Sequence, residues 1–124
     1  MISGIGTDIV QIARIKKAII NTQSFKEKAF TKNEIEYFDL KKDNYETIAG
    51  TFAAKEAISK ALGTGFRGFG LRDIEINRNK LGKPIACLSD KILEKFSLED
   101  YYIHISISHT SDEAIAFAIL EGGK

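Results

Sequence analysis

From Asn44 to Leu62 the chain is rich in alanine and free of proline, and Gly63 follows directly. This run predicts a long helix closed by a glycine, more firmly than any other stretch predicts its own structure. At about 100° per residue, Tyr45, Ile48, Ala49 and Phe52 fall in one sector of its wheel. Glu56 falls in the same sector, one turn past Phe52, so a carboxylate stands where apolar side chains are expected. Lys60 lies one turn further, and a Glu56–Lys60 pair at i, i+4 is a surface contact worth about 0.2–0.5 kcal/mol.

The remainder predicts an α+β domain. Helical signals dominate the first half and strand signals the second, unlike a regular βαβ alternation. At 124 residues the chain suits one domain spanning 1–124. Ile2 to Val10 reads as a strand, and Gln11 to Ile20 as a helix with Ile12, Ile15, Ile19 and Ile20 inward. Thr31 to Glu34 form a capping box ahead of a short helix that turns Ile35 and Phe38 inward. Beyond the long helix, GTGFRGFG reads as a loop with little conformational restraint. Ile74 and Ile76 share a strand face, the turn Asn79 to Pro84 reverses the chain, and Ile85 to Leu88 return. Ser89 caps a short helix carrying Ile92, Leu93 and Phe96. In the final hairpin, Ile103, Ile105 and Ile107 alternate with His104, Ser106 and Ser108. Ile115, Phe117 and Ile119 then alternate with Ala114, Ala116 and Ala118, small residues that suit close packing against a helix or another subunit.

Asp8, within GIGTDIV, is the second carboxylate in an apolar setting. It reads either as the cap of the following helix or as half of a pair with Glu56. Two carboxylates about 4 Å apart repel by roughly 4 kcal/mol at an effective dielectric of 20, so such a pair needs a cation or a shared proton. Magnesium suits it, because it commonly takes one or two protein carboxylates and completes its shell with waters and substrate phosphates. Zinc does not, since one cysteine and two scattered histidines supply no closed ligand set.

Lys55, Lys60 and Lys83 are candidate phosphate contacts, although each taken singly also reads as a solvated surface lysine. His109 can exchange a proton near neutral pH, with Ser108 and Thr110 beside it as hydrogen-bonding groups. His104 reads as structural and Cys87 as a small core residue. A serine hydrolase is disfavoured by the lack of a G-x-S-x-G elbow. The glycine loop follows a helix and lacks G-K-[ST], so it is neither a P-loop nor a dinucleotide fingerprint. A net charge of +1 argues against nucleic acid or membrane as partner. A single cysteine, no long apolar run and no signal-like start lead to the expectation of a soluble intracellular protein.

Taken together, G-x-D at Gly6 to Asp8, F-x-x-K-E-A-x-x-K at Phe52 to Lys60, G-K-P at Gly82 to Pro84 and S-H-T at Ser108 to Thr110 closely resemble the holo-acyl-carrier-protein synthases, the short 4′-phosphopantetheinyl transferases. The resemblance runs the whole chain, in order and at the family's length. It implies that fold, with the N-terminal strand and helices packed on a mainly antiparallel C-terminal sheet. It also implies transfer of 4′-phosphopantetheine from coenzyme A to a serine of apo-acyl carrier protein, releasing adenosine 3′,5′-bisphosphate, in support of fatty acid biosynthesis in the cytoplasm. On the same footing, Asp8 and Glu56 are magnesium ligands and, with Lys60, the catalytic residues. Lys60, Gly63, Gly82, Lys83, Pro84, Ser108, His109 and Thr110 contact coenzyme A, and Arg14 meets the carrier protein. Family members are homotrimers with active sites between subunits, a state that the alanine-lined strand fits. The base that takes the serine proton stays open among Asp8, Glu56, a metal-held water and His109. A fold-conserving binding module without catalysis and a magnesium-dependent pyrophosphate hydrolase are the competing readings.

Overall fold

The computed structural model describes residues 1–122. Its sheet is antiparallel, with β5 (Glu113–Gly122) between β1 (Ile2–Gln11) and β4 (Tyr101–His109). The N-terminal strand therefore joins the C-terminal hairpin as an edge strand. Register pairs Gly6 with Ala118 and Asp8 with Ala116.

Alternation decides which face each residue takes. Ala114, Ala116, Ala118 and Leu120 of β5 are buried beneath the long helix α4 (Tyr45–Ala61), which turns Ala53, Ala54, Ala57 and Ala61 inward. Gly4 and Gly6 of β1 lie on the same side. A Cβ added at Gly4 would stand 1.9 Å from the Ala61 carbonyl oxygen, and one at Gly6 1.9 Å from that of Ala57. The strand thus approaches the helix backbone more closely than any side chain permits. The alanine face is consequently covered by a helix of the same chain, which corrects the expectation that it fits a subunit contact. The opposite face is the uncovered one, with Ile5, Ile9, Ile115 and Phe117 each between 40% and 61% exposed.

The ends of α4 follow its sequence. The Asn44 side chain accepts from the Thr47 N–H at 3.0 Å, and Gly63 leaves the helix at φ +95°. Helix α1 (Ile12–Asn21) begins after Gln11 without a side-chain cap, so Asp8 lies inside β1 and caps nothing, and Ile20 at the helix end is exposed rather than inward.

A second cluster packs α1, α2 (Phe25–Ala29) and α3 (Lys32–Leu40) around Phe30 and Phe38, whose rings meet edge to face at 4.9 Å. The capping box at Thr31 and Glu34 forms as expected, and its glutamate also works elsewhere. Glu34 Oε1 accepts from Lys55 Nζ at 2.6 Å, and Oε2 accepts from the Ile76 N–H at 2.6 Å. Lys55 is fully buried and donates further to the Ala29 and Leu71 carbonyls. It is therefore no surface lysine and no phosphate contact. Burial pushes its pKa down while Glu34 partly offsets that fall.

The hairpin of β2 (Ile74–Arg78) and β3 (Pro84–Leu88) packs Ile74, Ile76 and Leu88 inward beside α5 (Asp90–Lys95). Cys87, opposite Glu75, alternates outward and is exposed rather than in the core. The glycine loop is pinned rather than free, because Phe69 is buried between the rings of Phe66 and Phe96.

Gly6→Ala is expected to cost about 3 kcal/mol or more in urea denaturation, because the atom it meets is backbone and cannot swing aside. Gly70→Ala, where nothing lies within 4 Å of the added carbon, serves as the control and should stay within about 0.5 kcal/mol of wild type. Equal stability of the two variants would contradict the close strand–helix approach.

Candidate active site

Asp8 has the parity of Gly4 and Gly6, so β1 presents it on the side that faces α4. There Lys60 Nζ donates to Asp8 Oδ1 at 3.2 Å and to the Thr7 carbonyl at 2.9 Å. The lysine thus crosses to the strand, and among the described residues it makes no ion pair with Glu56. Glu56 lies one turn earlier on the helix. Its pKa is raised above the ordinary carboxylate range, first by burial and then by the negative charge of Asp8, with Lys60 offsetting part of the rise.

Both acids line one depression of about 440 Å³, together with Val10, Phe25, Phe52 and Arg14 of α1. The pairing of Asp8 with Glu56 read from the sequence thus corresponds to a single surface feature, and Arg14, expected to meet the carrier protein, lines it too. Among the described residues no group of three or more His, Cys, Asp or Glu gathers to hold a metal. Two carboxylates open to solvent, one with raised proton affinity, still suit a hard divalent cation that keeps several waters. They do not suit zinc.

The other expected site residues lie elsewhere. Gly82, Pro84 and His109 line a second depression of about 270 Å³, with Glu46, Gly50 and Arg78. His109 Nδ1 is 2.7 Å from the Glu46 carboxylate. The turn before Pro84 is held by Asn79 Oδ1, which accepts the N–H groups of Leu81 and Lys83, and Gly82 supplies φ +86°. Lys83 itself is exposed beside it. Thr110 Oγ1 accepts from the N–H groups of Asp112 and Glu113 and so shapes the hairpin turn, while Ser108 lies exposed on the open sheet face. Gly63 ends α4 one turn beyond Lys60 and lines neither depression. The two depressions share no lining residue, so the two groups line separate depressions of the chain.

Sequence reasoning missed Arg78. The signal was present, since Ile74, Ile76 and Arg78 have the same parity and the arginine therefore ends the buried face of β2.

Residues 4–119 match the family model described as the 4′-phosphopantetheinyl transferase superfamily. The chain belongs to that superfamily. A relative from Clostridium botulinum (strain Eklund 17B / Type B), a holo-[acyl-carrier-protein] synthase, is 63% identical over 121 residues, covering 98% of each chain. Among solved structures of this transferase family, the Helicobacter pylori holo-[acyl-carrier-protein] synthase in complex with coenzyme A is 36% identical. It superposes with a TM-score of 0.84 over 94% of this chain and 99% of that one. The Bacillus anthracis synthase in complex with CoA (3′,5′-ADP) is 37% identical, with a TM-score of 0.82 over 99% of each chain. The α+β fold expected from the sequence is therefore the transferase fold, and both depressions fall within the matched segment.

In the metal-free protein, Glu56 should titrate above its unfolded value of about 4.3 when followed by carboxyl-carbon NMR. Asp8→Asn should lower that pKa by removing a repelling charge, and Lys60→Ala should raise it further. Because folded Glu56 holds its proton more tightly than the unfolded chain does, its contribution to stability falls as pH rises from the unfolded value through the folded one. A Glu56 that titrates normally, or is insensitive to Asp8→Asn, would contradict this arrangement.

Proposed function

We propose that this chain moves the 4′-phosphopantetheine arm of coenzyme A to a serine hydroxyl of apo-acyl carrier protein, with release of adenosine 3′,5′-bisphosphate. The observation that carries the reading is the pairing of Asp8 with Glu56 beside Lys60, within the fold of relatives named for this reaction. Asp8 and Glu56 would hold magnesium, which when bound neutralises charge spreading over the phosphate oxygens. Lys60, half exposed and bonded to Asp8, meets a diphosphate oxygen from the helix side. Arg14, exposed on α1 in the same depression, offers a cation to acidic side chains of the carrier protein. Asp8 and Glu56 are the two carboxylates of this depression that can take the serine proton. His109 lies in the other depression against Glu46.

Gly82, Lys83, Pro84, Ser108, His109 and Thr110 hold the nucleotide end of coenzyme A. Because they are apart from Asp8 and Glu56 within one chain, the complete site forms between copies, in a homotrimer. The uncovered face with Ile5, Ile9, Ile115 and Phe117 supports such an assembly. The setting is the cytoplasm and the end use fatty acid biosynthesis. Among the described residues no helix is long and apolar enough to cross a membrane.

Incubation with coenzyme A, magnesium and an apo-acyl carrier protein should add the mass of the phosphopantetheine arm to the carrier. Asp8→Ala and Glu56→Ala should each cut turnover by at least about 100-fold, the scale of a lost general acid–base group, with unchanged circular dichroism. Light scattering of the active protein should give three chains per particle. No modification of several carrier proteins, release of free phosphopantetheine without carrier, or full activity in a monomer would each count against the reading.

A further inference from the structure

Arg78 ends β2 on its buried face, opposite Pro84, and lines the second depression. Its planar group lies over the Tyr37 ring at 5.5 Å and donates one hydrogen bond, from Nη2 to Thr51 Oγ1 at 3.1 Å. The Thr51 hydroxyl spends its own proton on the Thr47 carbonyl at 2.9 Å, so it serves the arginine only as an acceptor. A guanidinium has five N–H donors in a fixed fork. Among the described residues it forms no ion pair with any carboxylate.

The neighbouring acids are already committed. Glu34 is bound by Lys55 and by the N–H groups of Thr31 and Ile76. Glu46, the one carboxylate lining the depression, is held by His109 at 2.7 Å. Burial pulls the Arg78 pKa down, with Tyr37 and Glu34 partly offsetting it. A half-buried cation without a counter-ion is unfavourable unless an anion completes it, and the guanidinium fork matches two oxygens of a phosphate.

Coenzyme A carries phosphate in two different places. Its diphosphate is the reacting group and belongs with Asp8, Glu56 and Lys60. Its ribose 3′-phosphate is a monoester at the nucleotide end. The Arg78 depression shares no lining residue with that of Asp8 and includes Gly82, Pro84 and His109. We infer that Arg78 is a specificity-determining residue that receives a phosphate monoester, the 3′-phosphate of coenzyme A, in this second depression. The inference rests on the proposed transfer reaction for the identity of its ligand.

Calorimetric titration of wild type, Arg78→Gln and Arg78→Lys with coenzyme A and with 3′-dephospho-coenzyme A tests it, with carrier transfer assayed in parallel. Wild type should bind coenzyme A more tightly than the dephospho form. Arg78→Gln should weaken coenzyme A binding by roughly 10- to 100-fold, the scale of one charge-assisted contact, and leave dephospho-coenzyme A within about twofold. Arg78→Lys, which keeps the charge and loses the fork, should recover part of the discrimination. A merely structural arginine would weaken both ligands together. An unchanged preference in Arg78→Gln, a parallel loss for both ligands, or a wild type blind to the 3′-phosphate would overturn the inference. Failure of carrier transfer with the discrimination intact would count against the proposed reaction and support the Arg78 contact.

Discussion

The close approach of β1 to α4 governs the geometry of everything around it. Gly4 and Gly6 leave no room for a side chain against the Ala61 and Ala57 carbonyls, and Ala114, Ala116 and Ala118 floor the same layer. Small residues on both surfaces let a strand and a helix backbone lie in contact, and dispersion favours that contact only because it is continuous. Two residues after Gly6 the strand presents Asp8, and one turn after Ala57 the helix presents Ala61, with Lys60 beside it. The G-x-D spacing and the K-E-A-x-x-K spacing thus express one constraint seen from its two sides. A strand held farther away would leave Asp8 without Lys60 and Glu56 without the charge that raises its pKa.

The same packing decides what is left uncovered. With the alanines packed under the helix, Ile5, Ile9, Ile115 and Phe117 turn outward, while Ile103, Ile105 and Ile107 of β4 pack inward. The residues expected at the nucleotide end gather around the β2–β3 turn and the β4–β5 hairpin, on a separate depression. A chain with two separate depressions and an uncovered apolar sheet face is suited to association, the basis of the proposed homotrimer. The buried Lys55–Glu34 pair complements this layout, since it joins α2, α3, α4 and β2 at one point.

Much of this was legible in the residues. Alternation in Ile103 to Ile107 and Ile115 to Ile119 specified the hairpin, and Gly63, Thr31 and Glu34 marked helix ends through their own chemistry. Asp8 and Glu56 stood out because each interrupts an apolar pattern. What escaped notice depends on distant parts of the chain. Lys55 looks like any surface lysine until Glu34, far away in sequence, takes its charge inside. Helix α2 is too short for a periodic signal, and Cys87 reads as core unless the register of a two-stranded ribbon is known. The alanine strand was compatible with a helix or a subunit, and only the glycines opposite it, read against α4, decide between them. Arg78 carried a signal in its parity with Ile74 and Ile76, but the need of its cation for an anion arises only from the commitments of Glu34 and Glu46.

Under the proposed function, the close approach of strand and helix lets Asp8 and Glu56 share one cation. Crystals grown with coenzyme A and manganese(II) in place of magnesium test it directly, through the anomalous signal of the metal. The account expects one manganese per site bonded to a carboxylate oxygen of both Asp8 and Glu56. A metal held by only one of them, or separate metals on each, would contradict it.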